Sequence, residues 1–150
     1  MTDEELLLEL LNSTPLVAGV EHDLLEETEL WASDPTGRKA LAAVRSALQD
    51  VVRGEQAASA LTPFLRGVRQ VPAMTEDGIG WTLEGPAATR TAVRAVLAWN
   101  AVKPGRLRPC ENPECQLFLI DRSKANTARW CSMASCGNRM KARRHYQANR

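Results

Sequence analysis

Cys110, Cys115, Cys131 and Cys136 are the chain's four cysteines, and they form two pairs with four residues inside each pair and fifteen between the pairs. A chain that uses them together must bring both pairs to one point, and the fifteen residues between are enough for a hairpin. Structural zinc takes four ligands tetrahedrally at about 2.3 Å from each sulfur and leaves no position for water. Such a site holds a fold together and does no catalysis. Dithiol redox catalysts favour two intervening residues rather than four, which weakens that reading. Spacing alone leaves iron–sulfur ligation open, since four cysteines also hold such clusters. The segment around the cysteines, about 107–150, has few large apolar residues. Metal binding worth about 10–16 kcal/mol would supply what a small core cannot, so this segment is expected to unfold without metal.

Clustered thiols suit a reducing compartment better as metal ligands than as disulfides. The acidic start MTDEELLLELL lacks the positive leader of a secretory signal, and no apolar run reaches the length of a membrane span. The expectation is a cytoplasmic protein. Its 150 residues, 44% hydrophobic and 25% charged, are enough for one core and a small appended module. The net charge of +1 conceals an asymmetry: residues 1–100 carry 8 Lys/Arg against 15 Asp/Glu, a net −7, and residues 101–150 carry 11 against 3, a net +8. A basic segment that also holds the cysteines is suited to an anion, and the acidic segment to solvent, a protein partner or the basic segment itself.

Thr2 with Glu5 reads as a capping box ahead of Leu6, Leu7, Leu10 and Leu11, a first helix ended by Pro15. VEHDLLEETELWAS, residues 20–33, reads as helix. Asp34-Pro35 starts another, with Leu41, Val44, Leu48, Val51 and Val52 on one face and Gly54 at its end. A helix over residues 57–68 contains Pro63, which bends or delays it. Asp77-Gly78 between short apolar stretches predicts a β-hairpin. A turn explains Gly78 and Gly80 better than a nucleotide-binding loop. Pro86 opens a helix whose face Thr89, Val93, Val96, Leu97 and Asn100 is expected to pack over that hairpin. The linker KPGRLRP, residues 103–109, then marks a domain boundary, giving an acidic domain over 1–103 and a basic one over 104–150. His22 and His145 are isolated, and the run Glu26, Glu27, Glu29 fits a solvated helix face. No nucleophile has an evident activating base, so no enzyme is expected and no catalytic residue is assigned.

Within the basic part, Leu117 to Ile120 reads as a strand, followed by a turn with Asp121, Ser123 and Asn126, and a returning strand through Arg129 and Trp130. Trp130 is placed to cover the metal site, and Arg129 to pair with Asp121 or meet an anion. A helix over about residues 133–147 would put Cys136 in its first turns, where free amides and the helix dipole favour a thiolate. Gly137 costs a helix about 1 kcal/mol relative to alanine, so a close backbone approach is expected there, with the Asn138 amide tying that backbone or a sulfur. Met133, Cys136 and Met140 would face the hairpin. At about 100° per residue, Arg139 and Arg143 lie about 40° apart, with Arg144 and Lys141 about 140° and 200° round from Arg139. Charge wrapped in this way suits phosphates better than base reading.

Cys110 and Cys115, LFLIDRS, and RWCSMASCGNRMKARRHY together resemble the CGNR zinc finger over about residues 107–147, the tetrad being Cys136, Gly137, Asn138 and Arg139. The resemblance implies a finger C-terminal to an ABATE-type α+β domain, in proteins regarded as stress-induced bacterial transcription regulators. NST at 12–14 and DLLEETELW at 23–31 loosely resemble that domain's opening segments. The chain departs from the family in a short N-terminal part and in Phe118, one place earlier than the usual aromatic. By resemblance the four cysteines are zinc ligands, and Arg139, Lys141, Arg143 and Arg144 are candidate nucleic-acid contacts, with Arg129 beside them. The expected architecture is α+β: a mainly helical N-terminal domain with a β-hairpin, then a treble-clef-like four-cysteine finger holding one structural Zn2+. The expected role is a DNA-binding transcription regulator whose N-terminal domain senses a small-molecule effector or forms a homodimer. The rival expectation is a protein-interaction module whose basic finger docks on an acidic surface.

Overall fold

The computed structural model describes residues 2–27 and 35–150. Its elements are α1 (Asp3–Leu11), β1 (Leu16–Val17), β2 (Val20–Glu21), α2 (Pro35–Val52), a 3-10 segment (Ala58–Leu65), β3 (Arg69–Thr75), β4 (Gly78–Glu84), α3 (Ala87–Ala101), β5 (Leu107–Pro109), β6 (Phe118–Ile120), a wide π-type turn (Met133–Gly137) and α4 (Asn138–Ala148). The strands pair as three antiparallel hairpins, so the fold mixes helices with small two-stranded sheets. Among the described residues, no helix is long and apolar enough to cross a membrane.

The chain divides into two compact units, residues 1–24 with 102–150, and residues 25–101. The sequence boundary near 103 lies close to one of these divisions, but residues 1–24 cluster with the finger rather than with the helical part. The reason is visible in the sequence once α1 is in place. The capping box forms as expected, Glu5 N donating to Thr2 Oγ1 at 3.2 Å and Thr2 N to Glu5 Oε2 at 2.7 Å. α1 is then long enough to present Leu7, Leu10 and Leu11, all fully buried, and it packs on β6, whose Phe118 and Leu119 are buried too. The finger has too little apolar surface of its own, and α1 supplies the rest.

In the second unit α2 buries Leu41, Val44 and Leu48, with Arg45 and Gln49 one turn apart on the same helix, also buried. Gly54 ends it with φ +77, where Glu55 N reaches back to Asp50 O at 2.9 Å. α3 buries Ala92, Val93, Ala95, Val96 and Ala98 against α2 and the 3-10 segment. This corrects the expectation that α3 covers the β3–β4 hairpin: the small residues of α3 permit close contact with α2, and no described element packs broadly on the hairpin. The 3-10 geometry of Ala58–Leu65 reflects Pro63, which has no N–H to give a longer helix.

The helix expected over 20–33 is corrected where the residues are described. Leu16–Val17 and Val20–Glu21 form a hairpin around Ala18 and Gly19, both at positive φ, and residues 24–27 are turn. Residues 28–33, and the Asp34 cap, lie outside the described residues.

Candidate metal centre and basic helix

β5 and β6 pair as Leu107↔Ile120, Arg108↔Leu119 and Pro109↔Phe118. The hairpin therefore encloses the first cysteine pair at its tip, with β5 before Cys110, and no strand forms over Arg129–Trp130. The returning strand is displaced because Asp121 organises residues 121–128 as a loop. Its carboxylate accepts from Ser123 N and Ala128 N, both at 2.8 Å, and from Arg108 at 3.1 Å. The Ser123 and Ala128 donors, with the Arg108 guanidinium, hold the Asp121 carboxyl far below the usual carboxylate range. Arg108 also donates to the Gly105 and Ala128 carbonyls and to Asn126. Of the two places considered for Arg129, the one beside Asp121 is taken by Arg108.

The second pair is set by the wide turn at Met133–Gly137, in which Gly137 N bonds to Ser132 O at 2.9 Å, five residues back. That extra residue per turn brings Cys131 Sγ to 3.6 Å from Cys136 Sγ. Cys115 Sγ lies 3.8 Å from Cys131 Sγ, and all four sulfurs lie within 4.8 Å of one another. A tetrahedron with about 2.3 Å from centre to sulfur has edges of about 3.8 Å. The four sulfurs therefore fit one zinc ion. A cluster of several iron atoms would need its thiolates further apart, and a disulfide would need about 2.05 Å.

The donor set agrees with thiolates around a cation. Cys131 N points at Cys110 Sγ at 3.3 Å, Leu117 N at Cys115 Sγ at 3.4 Å, and the buried Asn112 donates Nδ2 to Cys136 Sγ at 3.3 Å. Such N–H donors stabilise negative sulfur and fix ligand orientation. Without a metal, burial pushes the Cys115 thiol up to about 11 and raises Cys131 as well. Burial opposes the Cys136 thiolate too, but the Asn112 donor and the neighbouring thiols outweigh it and lower Cys136. Four thiolates packed this closely persist together only around a cation. Cys110, Cys115, Cys131 and Cys136 would hold one structural Zn2+, with every coordination position filled by the chain.

Gly137 has a helical φ, yet a Cβ there would lie 2.7 Å from Met133 Sδ and 3.2 Å from Trp130 Cδ1. The close approach anticipated at this glycine is made by side chains. Trp130 thereby packs against the turn that carries Cys136. Met133 is 52% exposed, and α4 buries no residue, so the expected Met133–Met140 packing face is corrected. Asn138 reaches only Ala134 O, at 3.5 Å, and the amide that serves a sulfur is that of Asn112.

Arg139, Lys141, Arg143 and Arg144 all lie on α4, which has no acidic residue. Arg139, Lys141 and Arg144 are exposed and make no ion pair among the described residues. Arg143 is half-buried and pairs with Glu114 at 3.0 Å. Arg129 pairs with Glu111, its guanidinium 4.8 Å from the Trp130 ring centroid.

Asn12, Gln116, Arg122 and Asn112 hold the site together without having been assigned that role from the sequence. Asn12 accepts from Phe118 N at 2.7 Å and donates to Phe118 O at 3.1 Å. Its amide acts as one more residue of strand beside β6. Gln116 Nε2 bonds to Thr14 O at 2.7 Å and Glu21 at 2.8 Å, and Arg122 pairs with Glu4. Asn12 stood out only within NST, as part of the family resemblance, and nothing local pointed to its partner 106 residues away. Asn112 was more accessible, since an Asn-Pro inside a cysteine knuckle signals a structured turn.

Residues 106–149 match the family model of the CGNR zinc finger. No curated protein matches the chain.

Proposed function

We propose that the protein is a DNA-binding regulator in which a zinc-held, treble-clef-type finger presents α4 to the phosphate backbone, while residues 25–101 sense a small molecule or join two copies of the chain. The observation that carries the reading is the charge state of α4. Arg139, Lys141 and Arg144 are exposed and free of carboxylate partners among the described residues, and they start directly from the turn that holds Cys136. Arg143 and Arg129 are held by Glu114 and Glu111, so their part is to brace the finger. Cations spread around a helix suit phosphates on both sides of a groove rather than one reading face. The role is binding, with zinc acting only on structure.

The test is fluorescence anisotropy with a mixed-sequence duplex and the full-length chain, zinc-loaded and chelated. Binding should vanish on chelation. Equal binding by metal-free protein whose finger has unfolded would sink the proposal.

A second reading has its own support. α1, with three acidic residues in its first turn, lies on the finger's β6, and Glu4 pairs with Arg122. The finger already accepts an acidic helix, so a protein surface of that kind is the alternative partner. A finger that binds an acidic helical peptide more tightly than duplex at equal salt would favour this reading.

A further inference from the structure

β3 and β4 form a hairpin that no other described element packs broadly against. An isolated two-stranded hairpin is marginal in water, yet one face of this one is apolar along most of its length. The cross-strand pairs Pro72↔Trp81 and Met74↔Ile79 share that face, with Gln70↔Leu83 nearer the base. Met74 is 80% exposed, Ile79 67% and Trp81 62%. Pro72 also blunts one edge. Having no N–H, it sits in the ladder with its nitrogen turned outward, so the β3 edge is poorly suited to adding a strand. The surface left open is the face.

We infer that this face is a two-fold interface between two copies of the chain, the ribbons lying antiparallel with the axis at the Pro72–Trp81 pair. The charges at the ends of the ribbon favour a second copy over an unrelated partner. Glu76 and Asp77 stand at the tip, exposed and without an ion pair among the described residues. Arg66 stands at the base, exposed and without an ion pair among the described residues; Arg69 lies on the opposite face of the ladder, paired with Glu84 at 3.4 Å. A symmetric contact requires a patch complementary to itself. Turning one ribbon end for end places its acidic tip over the other's basic base, and Met74 and Ile79 over Gln70 and Leu83.

Strands of seven residues span about 23 Å, so two such faces bury on the order of 800–1,000 Å², below or at the low end of specific interfaces. The dimer is therefore reversible, with a dissociation constant in the micromolar range and Trp81 as its anchor. This deepens the dimerisation part of the proposed function and is independent of its DNA part, because the test contains no nucleic acid.

The test is sedimentation velocity on the zinc-loaded, full-length chain from about 1 to about 500 μM. The mass should rise from monomer to dimer within that range. Trp81→Glu and, separately, Met74→Glu should stay monomeric throughout while keeping the wild-type helical circular dichroism. Glu76→Arg and Arg66→Glu should each weaken association several-fold, and the two together should restore it. A wild-type chain that is monomeric at the highest concentration overturns the inference, as does a dimer indifferent to both face variants. A double charge swap no better than the single ones overturns the antiparallel arrangement.

Discussion

Replacing Asn12 with alanine should destabilise the finger although residue 12 is nearly a hundred positions from the first cysteine. In the β5–β6 ladder Phe118 stands opposite Pro109, which has no N–H, so the Phe118 amide and carbonyl turn away from β5 and toward the Asn12 side chain. Phe118 is almost fully buried. Asn12→Ala removes both bonds and admits no water to replace them. At about 1 kcal/mol of net stability per hydrogen bond, rising to about 1–3 kcal/mol for a buried group left without its partner, the loss should be about 2–4 kcal/mol. The assay is urea unfolding of zinc-loaded protein, read by zinc release to a chromogenic chelator so that only the unit holding the finger is reported. With a urea slope of about 1–3 kcal/mol per molar, the midpoint should fall by about 1 M or more. Asn12→Asp keeps an acceptor for the Phe118 N–H and should fall between. A midpoint within about 0.2 M of wild type would refute the claim that α1 completes the finger.

Removing zinc should unfold residues 102–150 and loosen α1, while α2 and α3 persist in their separate unit; circular dichroism should retain the larger part of its helical signal, and an unchanged spectrum would contradict this. Zinc affinity should rise with pH, because burial raises the Cys115 and Cys131 thiols and both must lose protons to bind metal. Between about pH 6 and 8, below the ordinary cysteine range near 8.5, log affinity should climb by about 2 or more per pH unit; competition with a calibrated chelator would show it, and a slope under about 1 would refute it. Gly137→Ala should be tolerated only by displacing Met133 and pressing on Trp130, lowering stability by about 1–2 kcal/mol; a neutral result in the zinc-release assay would contradict the contact. Arg139→Ala, Lys141→Ala and Arg144→Ala together should weaken DNA binding across all sequences and flatten its salt dependence by about 2–3 in slope. Glu114→Gln should change it far less, and the reverse order would sink the assignment.

The local parts of this fold were legible because their signals are local. The Thr2–Glu5 box, Gly54 after α2 and Asp77-Gly78 in its hairpin each act over a few residues, the cysteine spacing over fewer than thirty, and each appears where expected. What the sequence did not disclose depends on distant partners. α1 was readable as amphipathic, but nothing in it named β6 as the surface it would cover. The strand assigned to Arg129–Trp130 failed because Asp121, read only as a turn residue, extends the turn into a loop over 121–128 by binding two backbone amides and Arg108. Arg143 read as a free cation, and Arg129 as a partner for Asp121 or for an anion, until the knuckle placed Glu114 and Glu111 beside them.

The central claim is that the zinc-held finger meets phosphates through the cations α4 leaves unpaired, and the salt dependence of duplex binding by the full-length, zinc-loaded chain tests it most directly. Arg139, Lys141 and Arg144, with Arg150 beyond the helix, predict about three to four phosphate contacts and a slope of log affinity on log salt of about −3 to −4. Binding that is flat across the salt series, or absent at low salt, would contradict the account.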